Sequence, residues 1–358
     1  MKSPRYSRED FDHSPLLVFY EMTRACDLMC AHCRADAQKS RHPFELDTTA
    51  ARQLIDQLRD FRKPPLLVLT GGDPIKRPDV FELINYARTI GLDVAMTPSA
   101  TPLVTKKAIA RLKQAGLHRL AVSLDGVDAA THDGFRRVAG SFERTLQIIA
   151  DARDVGLPVQ VNTTITLANF HQIDATAELL SGMNIVLWSV FFLVPTGRGQ
   201  ANQRITAEQY EIAFDQLYRH SRIQPYAIKT TEAPHYRRFL LQKAREAGAP
   251  ARLEGPHIGT NDGRGIMFVS HIGEIYPSGF LPIRCGVFPR DSLVDVYQNA
   301  PLFRALRDAD ALKGKCGICE YRHICGGSRA RSFALSDRDP LAPEPDCAYL
   351  PPAVLNAH

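Results

Sequence analysis

Between about residues 15 and 200, short β-rich runs alternate with stretches whose apolar residues recur at helical spacing. That rhythm leaves few alternatives to a parallel sheet covered by helices. The runs are "LLVFYEMT", "LLVLTGG", "DVAMTPSA", "RLAVSLDG", "VQVNTTIT" and "IVLWSVFFLV"; "TTAARQLIDQLRDF" and "SFERTLQIIADARDVG" are two of the helical stretches between them. Several strands end on polar or glycine residues: Thr23, Gly71 and Gly72, Ser99, Asp125 and Thr164. In α/β folds, sites are built at the C-terminal ends of the strands.

After residue 200 the rhythm breaks. A helical stretch, "TAEQYEIAFDQLYRH", leads to one more strand-like run, "YAIKTTEAP", and then to Gly- and Pro-rich sequence. The expected division is a tail (1–14), a core (15–225), a linker with a closing strand and helix (226–254), and a loop-rich C-terminal domain (255–358). The net charge of +5 suits an acidic substrate, and no Lys/Arg run is dense enough for nucleic acid. The polar N-terminus "MKSPRYSREDFDHSP" lacks the apolar core of a signal peptide. The longest apolar run, 185–194, is about half of what a membrane helix needs. The expectation is a soluble cytoplasmic protein with no membrane partner. In that reducing compartment, eight cysteines, seven of them in two groups, are expected as metal ligands rather than disulfides.

The first group is "CDLMCAHC", with Cys26, Cys30 and Cys33 on the loop after the first strand. A closed zinc site wants four protein ligands, and His32 is the one nearby candidate for a fourth. A [4Fe–4S] cluster is also normally held by four thiolates, so three would leave one iron open to an outside ligand. In "LTGGDP", Gly71 and Gly72 would let a backbone approach a ligand closely. In "VSLDG", Ser123 and Asp125 at i and i+2 would point to one side of a strand. In "VNTTIT", Asn162 and Thr164 share a face.

The cysteine triplet, with His32 just before its last member, resembles the signature of the radical S-adenosylmethionine (SAM) superfamily. The resemblance covers nearly the whole chain and implies a partial (βα)6 barrel. It implies that the open iron chelates the amino and carboxylate groups of SAM, and that an electron from the cluster releases a 5′-deoxyadenosyl radical that abstracts hydrogen from substrate. Gly71, Gly72, Asp73 and Pro74 match the motif whose backbone contacts the methionine amino group, with Asp73 where Glu is commoner. Ser123 is implied near the SAM carboxylate, with Arg136, or its neighbour Arg137, as the carboxylate's partner. Asp125 either joins these contacts or caps a turn. Asn162 and Thr164 either reach the ribose or are polar residues at the barrel mouth. Leu193 and Val194 are implied beside adenine, while Phe191 and Phe192 are expected in the core. A flavodoxin- or ferredoxin-type protein is the implied electron donor.

The second group is Cys316, Cys319 and Cys325, with Cys347 22 residues later. Four thiolates complete a shell for zinc or for [4Fe–4S], and spacing alone does not choose. The segment resembles the SPASM (twitch-like) extension of radical SAM enzymes, which implies an auxiliary [4Fe–4S] cluster in electron transfer. Ser278 and Arg329 stand where a full SPASM domain would have further cysteines, so one auxiliary cluster is expected. Cys285 is left as an inert thiol, a substrate-facing residue or an extra ligand. Lys229, Glu232 and His235 could face substrate, but a solvated helix N-terminus is the favoured reading of those letters. Arg329 and Arg331 are either surface residues or neighbours of the auxiliary cluster.

Most SPASM-bearing relatives modify ribosomal peptides, so maturation of such a peptide is the first expectation. The alternative is radical oxidation or decarboxylation of the propionate side chains of a haem precursor, because "CGICEYRHICGGSRAR…DPLAPEPDC" also resembles the tails of such enzymes. From a different class, a non-catalytic iron–sulfur redox sensor or scaffold would need neither "GGDP" nor "SLDG".

Overall fold

A computed structural model describes residues 6–248, 250, 253 and 259–355. The six expected strands form at β1 (Leu17–Thr23), β2 (Leu66–Gly71), β3 (Val94–Met96), β4 (Arg119–Ser123), β5 (Val159–Ile165) and β6 (Leu187–Phe192). A seventh, β7 (Ala227–Thr231), pairs with β6, and β1 to β7 all run parallel in chain order. Helices α1 (Thr48–Gln57), α2 (Val80–Thr89), α3 (Lys106–Gln114), the pair α4 (Ala129–Arg136) and α5 (Ser141–Asp154), α6 (Ile173–Ser181), and α7 (Ala207–Ile223) fill the crossovers. Many begin at a side-chain cap: Asp47, Thr105, Asp128 and Thr206 each accept from a backbone N–H three residues on.

The chain then passes through α8 (Tyr236–Glu246) and returns to the other edge of the sheet. Strand β8 (Ile266–Val269) pairs parallel with β1, and β9 (Glu274–Tyr276) and β10 (Gly286–Val287) extend it antiparallel, giving ten strands in one sheet. One sheet therefore runs through both the core and the C-terminal segment. Short helices α9 (Leu293–Asn299), α10 (Pro301–Arg307), α11 (Gly314–Gly317) and α12 (Arg329–Leu335) and long loops make up the rest. The expected tail falls partly outside the described residues; its Phe11 is fully buried beneath Tyr297 Oη, which donates to the Phe11 carbonyl.

Both faces of the strands are used. On β5, Val159, Val161, Thr163 and Ile165 are buried against helices, while Gln160, Asn162 and Thr164 face a cavity on the concave side. The outward faces of β1, β2 and β4 carry Val18, Tyr20, Met22, Leu67, Leu69, Leu120 and Val122 into the main core. This double duty explains why the strands read as near-continuous apolar runs. No helix among the described residues is long and apolar enough to cross a membrane.

Candidate functional site

The concave side of the sheet encloses a cavity of about 460 Å³, within the range of small-molecule sites. Its mouth lies at the C-terminal strand ends. Cys26, Cys30 and Cys33 all line it, on the loop between β1 and α1. The loop is held by backbone bonds of Cys26 to Gln38, Gln38 to Arg24, and Ala31 to Phe135. Cys26 Sγ lies 3.2 Å from Ser99 Oγ, and Cys30 Sγ accepts from Arg136 Nη1 at 3.5 Å. Cys33 Sγ accepts from Ala37 N at 3.4 Å. A second clamp went unread in the sequence: Arg198 Nε donates to the Cys30 carbonyl at 2.9 Å. Beside it, Gly197 sits so close that a Cβ would lie 2.3 Å from the Cys33 carbonyl oxygen. The signal for this clamp was "TGRG" after β6.

His32 lines the cavity and packs on Phe135 with ring centroids 4.6 Å apart. Its Nδ1 is buried without a partner, and burial pushes its pKa down to about 4, so the ring is neutral at pH 7.

Gly71 and Gly72 line the cavity, but their immediate task is contact between two loops. A Cβ at Gly72 would lie 2.5 Å from the Ala25 carbonyl oxygen, and Gly72 N donates to Thr23 O at 2.7 Å. The Asp73 carboxylate is fully buried and accepts from Thr101 Oγ1 at 2.8 Å and Ser99 N at 3.2 Å. Burial raises its pKa to about 6. Neither Asp73 nor Pro74 lines the cavity: Asp73 ties down the loop that brings Ser99 to Cys26, and Pro74 opens a short 3-10 turn.

Ser123 faces the cavity from the end of β4, and Asp125 does not. The strand stops at Ser123, so the two-residue period no longer applies at Asp125. Asp125 Oδ1 accepts from Thr164 N at 2.7 Å, and its other oxygen pairs with Arg136. Burial acts to raise the Asp125 pKa, but Arg136 outweighs it and holds the group below the usual carboxylate range. Arg136 lines the cavity and keeps a buried Nε without a partner, whereas Arg137 is an exposed left-handed residue ending α4. Asn162, Thr164, Leu193 and Val194 all line the cavity. Phe192 packs on Tyr210 in the core as expected, but Phe191 is half-buried against the cavity.

Arg119 sits lower on the inner wall, and Lys229 lines it level in register with Asn162. Burial, followed by the charge of Arg119, pulls Lys229 down to about 8. Near the mouth, Glu232 lines the same cavity at φ +59 and accepts from Ser328 Oγ at 2.5 Å. The solvated helix N-terminus expected here is absent. Glu232 is enclosed by the C-terminal segment, and burial, aided by Asp262, raises it to about 8. His235 is buried, with neither ring nitrogen partnered.

A second, smaller cavity is lined by Cys316, Cys319, Cys325 and Cys347 together with His235, Arg238 and Glu344. Burial lifts the Cys325 thiol to about 12 and Cys347 to about 11, so each needs a cationic centre to become a thiolate. Cys285 lies elsewhere, on the β9–β10 side and packed against the main core. Arg329 and Arg331 are not surface residues. Arg331 is wholly buried, donates to Glu344 Oε1 at 2.8 Å and to the Glu232 carbonyl at 2.6 Å, and so joins the two cysteine regions. Arg329 is held by the carbonyls of Pro340 and Ala342. All eight cysteines are free. No three His, Cys, Asp or Glu side chains among the described residues are arranged for a single metal ion.

Residues 20–180 match the family model described as the radical SAM superfamily. An AdoMet-dependent heme synthase of Methanosarcina barkeri is 40% identical over 344 residues, 95% of this chain and 98% of that protein. The chain belongs to the radical SAM superfamily. It is a radical SAM enzyme, and membership implies a [4Fe–4S] cluster and SAM. Mycofactocin maturase MftC of Mycobacterium tuberculosis is 30% identical, over 93% of this chain and 83% of its own. Among solved radical SAM structures, Streptococcus suis SuiB bound to S-adenosylmethionine superposes with a TM-score of 0.73 at 16% identity, covering 94% of this chain and 78% of that one. At that identity the likeness concerns the fold. The fold is thus an α/β radical SAM fold with a mixed, mostly parallel sheet.

Proposed function

We propose that this protein is a radical SAM enzyme of haem synthesis, acting on propionate side chains of an iron-porphyrin precursor. The supporting observation is the 40% identity to an AdoMet-dependent heme synthase along nearly its whole length, against 30% to a peptide maturase. Peptide maturation, the first expectation from the sequence, gives way on that comparison to its tetrapyrrole alternative.

In this reading Cys26, Cys30 and Cys33 hold the SAM-binding cluster, which with SAM supplies a 5′-deoxyadenosyl radical. The donor set fits: three thiols on one cavity wall, with Ser99 and Arg136 against two of them. Gly71 and Gly72 bring the β2 loop against the cysteine loop, and Asp73 and Pro74 shape that loop from behind. Ser123, Asn162, Thr164 and Arg136 present polar groups to SAM, with Asp125 orienting Arg136. Leu193 and Val194 supply an apolar wall that excludes water near a reactive species. Cys316, Cys319, Cys325 and Cys347 hold an auxiliary [4Fe–4S] cluster with every iron ligated by protein. Converting one propionate to a vinyl group removes a hydrogen atom, carbon dioxide and one electron, so the reaction requires an electron acceptor as well as the reductant that starts it.

The test is anaerobic reconstitution with iron and sulfide, then reduction in the presence of SAM and an iron porphyrin bearing propionates. The expected products are 5′-deoxyadenosine and a porphyrin lighter by carbon dioxide and two hydrogens per converted arm. Formation of 5′-deoxyadenosine with the porphyrin unchanged would overturn the substrate, and no 5′-deoxyadenosine at all would favour a sensor.

A further inference from the structure

Five basic side chains line the large cavity; two are paired with carboxylates and a third is held by two backbone carbonyls. Arg34 pairs with Glu21 at 3.0 Å, Arg136 pairs with Asp125, and Arg237 donates to the carbonyls of Ile324 and Thr260. Arg119 and Lys229 differ. Arg119 reaches only the Gln160 side-chain oxygen, at 3.4 Å, and its Nε is buried with no partner. Among the described residues, neither has a carboxylate within ion-pair distance, and the one charge acting on Lys229 is that of Arg119. Two like charges placed together on an inner wall oppose folding unless they serve something.

Their position says what. Arg119, Ala121 and Ser123 share the inward face of β4, so Arg119 starts four residues below the strand end, roughly 13 Å along the strand. Lys229 projects from the inward face of β7, two residues before its end. Arg119 therefore lies away from the cysteine loop, while the register places Lys229 beside Ser189 and level with Asn162 and Ser123. Gln160, which donates to Asn162 Oδ1 at 2.7 Å, adds a polar group to the same wall.

We infer that Arg119 and Lys229 form a carboxylate anchor on the inner wall of the cavity, holding a propionate of the tetrapyrrole other than the arm that reacts. This rests on the tetrapyrrole reading. A guanidinium fork and an ammonium on facing strands suit a carboxylate, and fixing the substrate at its far end would aim another arm at the mouth.

The test uses the full-length protein and two probes, an iron porphyrin with free propionates and its methyl ester, titrated by absorption. The wild type is expected to prefer the free acid. Lys229→Met and Arg119→Gln should each weaken free-acid binding by about tenfold or more and leave ester binding unchanged, which also shows an intact cavity. Lys229→Arg should keep the preference. If both neutral variants retain the free-acid preference, the anchor is wrong and the tetrapyrrole reading stands. If the wild type binds neither porphyrin, the tetrapyrrole reading falls and takes the anchor with it.

Discussion

Two regions of this molecule bring cysteines together, and their surroundings differ. Cys26, Cys30 and Cys33 border a cavity of about 460 Å³, with polar side chains from β4 and β5 across from them. Cys316, Cys319, Cys325 and Cys347 surround a much smaller space and have Glu344, His235 and Arg238 as neighbours. Three thiolates beside a roomy cavity would leave a coordination position for a small molecule; four around a small one would not. The lesson is that ligand count and adjoining volume, more than ligand type, separate a reactive centre from an electron-carrying or structural one. The two are physically joined: Ser328 Oγ donates to Glu232 at the first cavity, Ser328 N donates to Glu344 at 2.7 Å, and Glu344 N donates to Cys316 Sγ at 3.3 Å.

The largest effect should come from the cysteines themselves. Cys26→Ala, Cys30→Ala or Cys33→Ala should each abolish 5′-deoxyadenosine formation. Cys316→Ala or Cys325→Ala should preserve SAM cleavage while stopping product formation, as read by chromatography of both products. Equal loss of SAM cleavage in both sets would break the comparison.

Next is the buried ion pair that joins the regions. Arg331→Met leaves Glu344 buried and uncompensated, at a cost of about 3–5 kcal/mol read from denaturant unfolding. A change below about 1 kcal/mol would mean the pair behaves as if at the surface.

Smaller again is Gly72→Ala. Its methyl group would meet the Ala25 carbonyl, so the β2 loop must shift from the cysteine loop at a cost of about 1–3 kcal/mol. SAM affinity should fall with stability, while the electron paramagnetic resonance (EPR) signal of the second cluster stays as in the wild type.

The effect confined to the narrowest conditions, vanishing at low pH, concerns Glu232. Its pKa is raised to about 8 in the fold, chiefly by burial, so between the unfolded carboxylate value and pH 8 the folded chain must hold a proton that the unfolded chain releases. Stability from this group is full at low pH and declines as pH rises toward 8. Glu232→Gln should therefore melt above the wild type at pH 8, by roughly several degrees, with the gap closing toward pH 5. An unchanged gap would mean that Glu232 is ionised.

The strands and the cysteine loop were legible because their signals are local: apolar runs of strand length, a triplet within eight residues, a glycine pair at a strand end. What local pattern could not carry was contact between distant segments. The Arg198 clamp on Cys30 spans 168 residues, and the Arg331 link to Glu232 spans 99. "SRAR" in a loop-rich stretch reads as solvent-exposed until the carboxylates around it are known. Asp125 was misplaced because a strand's two-residue period was carried past the strand's end. Lys229 and Glu232 were noticed, but their letters suit a helix start equally well, and only the enclosing C-terminal segment decides. The substrate was illegible for a different reason: cysteine spacing, "GGDP" and "SLDG" serve the radical chemistry shared by peptide and tetrapyrrole enzymes alike.

The central claim is that SAM meets metal at the first cysteine group and not at the second. The direct measurement is EPR of the reduced, reconstituted protein with and without SAM, comparing a Cys316→Ala/Cys319→Ala variant with a Cys26→Ala/Cys30→Ala/Cys33→Ala variant. The account expects the cluster spectrum of the former to change when SAM is added and that of the latter to stay the same. A SAM-dependent change in the variant lacking the first three cysteines would contradict it.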